Sequence, residues 1–101
     1  MLMISVYVTF SRMAEAKKIA QHLLDNKLIA CANMFPIESM FRWKGNLVDE
    51  KEVAMLCKAK KENFSRIESA VKKLHSYDVP CIVAFDWVDS NKDYAAWVKD
   101  G

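Results

Sequence analysis

Residues 30–60 limit the folds open to this chain more than any other stretch. Two segments rich in strand-forming residues, 30–43 and 47–60, are separated by the turn signal Gly45-Asn46, a pattern typical of a β-hairpin. Each arm is about a dozen residues long, roughly twice the usual strand length of ~5–6 residues. In a chain of 101 residues, arms of this length extend beyond what one small domain can cover. The hairpin is therefore predicted to be the centre of the fold and to meet a partner subunit.

The sequence on each side of the hairpin predicts one strand and one helix, and a short helix closes the chain. In order, these elements are a strand over residues 3–10, a helix from Ser11 to Lys27, a helix over residues 63–75, a strand over residues 81–87 and a terminal helix that begins with a Ser90–Asp93 capping box. The first strand of the hairpin is predicted to begin near Leu28. The expected fold is a ferredoxin-like α+β sandwich, βαββαβ, with an extended β2–β3 hairpin and a short C-terminal helix, formed as one domain over residues 1–101.

Two features of the hairpin predict how it sits in the sheet. Pro36 has no N–H to donate, so its strand is expected at a sheet edge or at a bulge. The charged run 49–52 precedes an apolar run, 53–59, which indicates that the hairpin tip projects beyond the covered part of the sheet. Because the strands are too apolar for an open face in water, an oligomer is expected to cover that face.

Charge and cysteine content exclude several classes of protein. The chain has 15 Lys and Arg against 13 Asp and Glu, a net charge of +2, which is too balanced to indicate a nucleic-acid or membrane partner. Three cysteines without a Cys-X-X-Cys spacing predict free thiols rather than a disulfide framework or a structural zinc site. The apolar run 1–10 is too short to span a membrane and lacks the flanks of a signal peptide. The expected location is the cytoplasm.

Other proteins with this order of elements provide alternative functions. Acylphosphatase needs a glycine-rich phosphate loop after strand 1, and residues 9–12 contain no glycine. An RNA-recognition domain needs exposed aromatic residues in a basic strand, and residues 53–59 contain none. Nucleotide or small-ligand sensing, as in the trimeric PII signalling proteins, stays open, although two glycines leave no visible glycine-rich phosphate cradle.

Six short segments together identify a known family. They are Lys27–Asn33, Phe41–Gly45, Glu50–Val53, Lys58, His75–Pro80 and Asp93–Val98. In this order and at this spacing the chain resembles the CutA divalent-cation tolerance family over essentially all its residues. The resemblance implies a soluble ferredoxin-like homotrimer whose long hairpins pair across subunits. It also implies a role in tolerance of copper and other divalent metals, kinship with the PII proteins, no catalytic activity and no obligatory cofactor.

Residue chemistry and the resemblance together indicate candidate metal ligands. His75 and Cys81 flank the turn before the last strand, and imidazole and thiolate suit Cu²⁺, Cu⁺ or Zn²⁺. Glu52 is the first choice among the carboxylates of the hairpin. Some relatives use a strand-1 Cys and a His pair as copper ligands, and the matching positions here are Val8 and Leu74. Cu²⁺ or another divalent cation is therefore the candidate ion, bound by fewer protein ligands than in those relatives.

A cleft between subunits is the second site that the resemblance implies. Alternation along a strand places Glu50 and Glu52 on one face, and the family match assigns that face to the cleft. The predicted lining and ligand-contacting residues are Trp43, Glu50, Glu52, Lys58, Tyr77 and Trp97. A divalent metal ion or a small molecule is the expected ligand.

Overall fold

A computed structural model gives the fold of residues 2–101. Its elements are β1 (Met3–Phe10), α1 (Met13–Asp25), β2 (Cys31–Trp43), β3 (Asn46–Lys60), a single 3₁₀ turn (Lys61–Asn63), α2 (Phe64–Leu74), β4 (Ile82–Asp86) and α3 (Lys92–Asp100). The four strands form one antiparallel sheet in the order β2-β3-β1-β4. This order and the two helices that connect its strands confirm the predicted ferredoxin-like α+β fold. None of the helices within residues 2–101 combines the length and the apolarity that a membrane span requires.

The core lies between one face of the sheet and the helices α1 and α2. Alternate residues of β1 and β3 point into it and are paired across the two strands, as in Val6 with Cys57 and Val8 with Met55. The fully buried side chains include Ile4, Val6, Val8 and Phe10 of β1, Met55 and Cys57 of β3, Ile19 and Leu23 of α1, and Ile67 and Val71 of α2. The inward-facing residues of β1 and the apolar face of α1 therefore pack together in one layer.

The opposite face of the sheet has exposed apolar side chains. Phe35 of β2, with Val83 and Phe85 of β4, are 40%, 45% and 55% exposed, and Tyr7 of β1 is half-buried among them. At one end of this face, the indole N–H of Trp87 donates to the Ser5 hydroxyl at 2.8 Å. Residues of this size are normally buried in a folded protein, so the face has the character of an unpartnered surface.

The hairpin is longer than the sheet to which it belongs. β1 ends where Phe10 pairs with Val53, so residues 37–52 pair only with each other across the hairpin. We call residues 37–52 the overhang. The molecule measures 45 × 26 × 21 Å, and the overhang is largely exposed except at Glu52. The predicted projection of the tip is thereby confirmed, as is the edge position of the strand that contains Pro36.

The turn of the hairpin lies one residue earlier than predicted. Lys44 and Gly45 have φ values of 51° and 82°, and Trp43 pairs directly with Asn46. Two consecutive residues with positive φ form the two-residue turn whose twist matches that of the flanking strands. Asn46 is therefore the first residue of β3 and not part of the turn.

Two other local predictions are wrong in detail. α3 begins at Lys92 after Asn91, with no side-chain cap, because the Ser90 hydroxyl instead donates to the Asn91 carbonyl at 3.3 Å. The Ser90–Asp93 capping box is thus absent, since the helix begins too late for Ser90 to reach it. β2 begins at Cys31, later than predicted, because Lys27 turns the chain just after α1 with a φ of 57°. The Leu28 N–H then turns back to the Leu23 carbonyl at 2.9 Å.

Candidate ligand-binding cavity

A cavity of about 500 Å³ lies beyond the end of β1, between the overhang and the loop of residues 75–81. Its volume is within the range of ~300–1,000 Å³ typical of small-molecule sites. It is lined by Thr9 from β1, by Phe41, Trp43, Val48, Glu50 and Glu52 from the hairpin, and by Tyr77, Asp78, Val79 and Cys81 from the loop and its end. The overhang therefore forms one wall and the loop forms the other.

Strand alternation explains which hairpin residues face the cavity. Phe41 pairs with Val48, and Glu50 and Glu52 follow Val48 at intervals of two along β3. Residues separated by two lie on the same face of a strand, so the rings and the carboxylates share one surface. This surface continues the apolar face of the sheet beyond the last residue of β1.

Glu52 connects the two walls of the cavity. Its carboxylate accepts a hydrogen bond from the Tyr77 hydroxyl, and the residue is only 8% exposed. Burial raises the pKa of Tyr77 well above its ordinary value, and the hydrogen bond and negative charge of Glu52 raise it further. Tyr77 is therefore a neutral donor that holds the loop against β3.

His75 fixes the same loop from behind. Its fully buried ring stacks on Phe10 with the centroids 4.8 Å apart. Nε2 lies 2.7 Å from the Thr9 carbonyl oxygen, which can only accept, so Nε2 has the hydrogen. Nδ1 in turn accepts the Tyr77 N–H at 3.0 Å. Because both ring nitrogens are engaged, His75 has no free lone pair for a metal ion.

A carboxylate from α1 also holds this loop. One Glu15 oxygen accepts hydrogen bonds from Ser76, from its N–H at 3.3 Å and from its hydroxyl at 3.1 Å. The same oxygen lies 3.6 Å from Nδ1 of His75. Contacts with β1, β3 and α1 thus position the loop before any ligand binds.

The structure places the predicted site residues in three different places. Trp43, Glu50, Glu52, Tyr77 and Cys81 line the cavity, and His75 lies directly behind it. Lys58 is outside the lining, where it pairs with Cys31 and donates to the Asn33 side chain. Trp97 is also outside, stacked on Tyr94 at 5.8 Å in α3.

Five lining residues were not predicted from the sequence. Two of them had a visible signal, because Phe41 is two residues from Trp43 and Val48 is two residues from Glu50, so alternation alone places each pair together. The other three, Thr9, Asp78 and Val79, reach the cavity through the packing of the loop against the end of β1. No local pattern in the sequence indicates this contact between the loop and β1.

The predicted metal ligands are not gathered into one coordination set. Within residues 2–101, no group of three or more His, Cys, Asp or Glu side chains is placed to hold a metal ion. Glu52 and Cys81 share the cavity wall, whereas Val8 is fully buried in the core. Of the three predicted ligands, two therefore share this wall, a hard carboxylate and a soft thiol.

The three cysteines are free, and burial keeps two of them protonated. Burial raises the pKa of Cys81, and the negative charge of Glu52 raises it further. The hydrogen bond with Thr9 lowers this pKa, but by less than burial raises it. Burial raises the pKa of Cys57 from 9.0 to about 12. Both thiols are therefore poor nucleophiles at neutral pH.

The buried thiol of Cys57 predicts a loss of stability in alkali. An unfolded chain releases this proton near pH 9.0 and the folded chain near pH 12, so the stabilisation is complete below pH 9 and is lost as the pH rises towards 12. Between these values the free energy of unfolding should fall by about 1.4 kcal/mol per pH unit from this one group. Denaturant unfolding from pH 7 to 11 should show a shallower decline in Cys57→Ala than in the wild type. Cys31→Ala, at a half-exposed thiol, is the control, and equal slopes in wild type and Cys57→Ala would contradict the prediction.

Comparisons with known proteins agree with this geometry. A family model of the CutA1 divalent ion tolerance protein matches residues 4–101. The divalent-cation tolerance protein CutA of Archaeoglobus fulgidus is 39% identical over 95 residues, which is 94% of this chain and 93% of that protein. The solved structure of the periplasmic divalent cation tolerance protein CutA from the same organism has a TM-score of 0.93 at 38% identity and covers 95% of this chain and 94% of its own. The crystal structure of CutA1 from Oryza sativa has a TM-score of 0.95 at 32% identity, over 98% of this chain and 92% of that one.

These matches cover nearly the whole chain in sequence and in structure, and they confirm the resemblance given by the six sequence segments. The chain therefore belongs to the family of CutA1 divalent ion tolerance proteins.

Proposed function

We propose that this chain is a non-catalytic, single-domain binding protein of divalent-cation tolerance, and that it acts as a homotrimer with its ligand in the cavity. The observation that carries the proposal is the cavity itself, formed by the overhang and by a loop that His75, Tyr77 and Glu15 hold in place. Its wall combines carboxylates with a thiol, which are metal-binding groups.

The exposed surfaces support assembly with further copies of the chain. Phe35, Val83 and Phe85 form an apolar face, and β2 is an edge strand that extends into the overhang. An unpaired edge and an apolar face are what a symmetric interface covers. The number of three subunits follows from the family resemblance.

Assembly also provides a role for the two predicted site residues that lie outside the cavity. Lys58 and Trp97 lie at the other end of the sheet from Trp43 and Glu50. We propose that a neighbouring subunit brings its Lys58 and Trp97 to the cavity, which thereby becomes a cleft between subunits. In this arrangement each cleft is completed by a second chain.

For the divalent ion we propose Glu52 and Cys81 as contacts, with Cu²⁺ as the candidate ion. His75, the third predicted ligand, would have to release either the Thr9 carbonyl or the Tyr77 N–H to bind. We therefore propose that His75 positions the loop and does not bind the metal ion. The cytoplasm is the proposed location, because three free cysteines suit a reducing compartment.

The alternative of nucleotide sensing is disfavoured by charge. Glu50, Glu52 and Asp78 all line the cavity, and within the described residues 2–101 no lysine, arginine or histidine does so. A phosphate group in this position would be repelled by these three carboxylates, which a single lysine from a neighbouring subunit would only partly offset.

Titration with Cu²⁺ tests the proposed metal contacts. In the reduced protein, the double substitution Cys81→Ser and Glu52→Gln should weaken Cu²⁺ binding at least about tenfold, because it removes both proposed contacts. The matched control is Cys31→Ser with Glu62→Gln, which changes the same groups at a half-exposed and an exposed position. In cells that lack their own family member, only the wild type and the control should restore growth in excess Cu²⁺. Equal affinity in both double variants would remove Glu52 and Cys81 from the site.

A further inference from the structure

The cavity combines aromatic rings with an excess of negative charge. The rings of Phe41, Trp43 and Tyr77 all contribute to its lining, and Phe41 and Trp43 are 40% and 53% exposed. Aromatic faces have negative electrostatic potential and attract cations, with tryptophan the strongest of the three. The aromatic rings and the carboxylates of the wall therefore both favour a positively charged ligand.

One carboxylate of this wall is buried without a counter-charge. Glu52 is 8% exposed, and within the part of the chain from residue 2 to 101 its only hydrogen-bond donor is the neutral Tyr77 hydroxyl. None of the ion pairs in those residues includes Glu52 or Glu50. A buried carboxylate without a positive partner is unfavourable. In the proposed assembly, a lysine from a neighbouring subunit would offset only one of the three carboxylates Glu50, Glu52 and Asp78. The site would therefore still gain by accepting a cation.

We propose that the cavity binds an organic cation, a small molecule with a protonated amine or quaternary ammonium group. This inference rests on the proposed function only in placing the ligand in the cavity. A volume of about 500 Å³ is far larger than a bare ion needs, and rings provide no metal ligands. Ammonium groups, in contrast, are recognised by rings and carboxylates together.

The residues of the cavity divide the recognition between them. Glu50 and Glu52 provide the negative charge from β3, and Trp43 and Tyr77 provide aromatic rings on the two walls. The Tyr77 hydroxyl, through its hydrogen bond with Glu52, fixes the carboxylate in position. Val48 and Val79 add apolar surface for the rest of the ligand.

A pair of probes that differ only in charge tests the inference. Choline and its neutral isostere 3,3-dimethylbutan-1-ol have nearly the same shape. With the assembled protein in chelator-treated buffer at fixed ionic strength, choline should bind at least about tenfold more tightly than the alcohol, because only choline has the charge. Isothermal titration calorimetry and the ligand's NMR line broadening both report this ratio.

Substitutions identify the side chains that recognise the positive charge of choline. Glu50→Gln with Glu52→Gln keeps the shape and the acceptor for Tyr77 but removes both charges, and it should abolish the preference for choline. Trp43→Leu should weaken choline about tenfold and leave the alcohol nearly unchanged. Asp49→Asn, on the same strand but outside the lining, is the control and should behave as the wild type.

Several results would overturn the inference. These are equal binding of the two probes, no binding of choline, or a preference that survives in the Glu50→Gln and Glu52→Gln double variant. The Cu²⁺ titration and the subunit count are measured on the same preparation. A protein that is trimeric and responds to Cu²⁺ but ignores choline would contradict only the inference of an organic cation, whereas a monomer would contradict the proposed function.

Discussion

Replacement of His75 by alanine should lower the free energy of unfolding by about 3–5 kcal/mol. The substitution leaves the Thr9 carbonyl and the Tyr77 N–H without their partners, and it removes a fully buried ring that stacks on Phe10. Each buried polar group without a partner costs about 1–3 kcal/mol, and the lost packing adds to this. Denaturant unfolding at one fixed protein concentration measures the change, because the proposed assembly would make stability depend on concentration.

The other histidine of the chain provides the control for this substitution. His22 lies on the exposed face of α1, with its Nε2 3.5 Å from the side-chain nitrogen of Asn26. His22→Ala should therefore change stability by no more than about 0.5 kcal/mol. In His75→Ala, hydrogen exchange at the Tyr77 amide should also accelerate, since that N–H loses its acceptor. Similar stabilities for the two alanine variants would show that His75 does not hold the loop.

Replacement of Phe85 by lysine should convert the proposed trimer to monomers. Phe85 is 55% exposed on the apolar face of the sheet and pairs with Ser5 of β1. If that face is buried between subunits, each copy of the substitution places an unpaired charge in an apolar interface, which costs several kcal/mol. In an assembly of three chains the penalty occurs three times, so dissociation is the expected result.

A lysine added elsewhere separates this effect from a general effect of charge. Gln21 lies on the exposed face of α1, on the helical side of the molecule. Gln21→Lys should leave the mass in solution unchanged, and the circular dichroism of both variants should match that of the wild type. A Phe85→Lys protein that keeps the wild-type mass would exclude this face from the interface.

Features encoded by short-range periodicity were predictable from the sequence. The apolar run of β1 and the helical spacing of α1 predicted the elements that form the core, and Pro36 predicted an edge or a bulge, of which the structure has the edge. Alternation along β3 put Glu50 and Glu52 on one surface, where the structure has them. In each case the signal lies within a few residues of the chain and does not depend on distant contacts.

Features that depend on contacts between distant segments were not predictable. The metal-ligand hypothesis for His75 rested on residue type, but its ring nitrogens are engaged by Thr9, 66 residues away in sequence, and by the turn of its own loop. Thr9 and Val79 reach the cavity only because this loop packs across the end of β1. The cap of α3 was also not predictable, because Ser90 forms its hydrogen bonds with its neighbours Asp89 and Asn91 instead of with the start of the helix.

The subunit count determines whether the cavity is a cleft shared between chains, and light scattering coupled to size-exclusion chromatography measures it directly. For the wild type at micromolar concentration, the expected mass is about three times the chain mass of 11.6 kDa. A mass equal to that of a single chain would contradict both the trimer and the shared cleft.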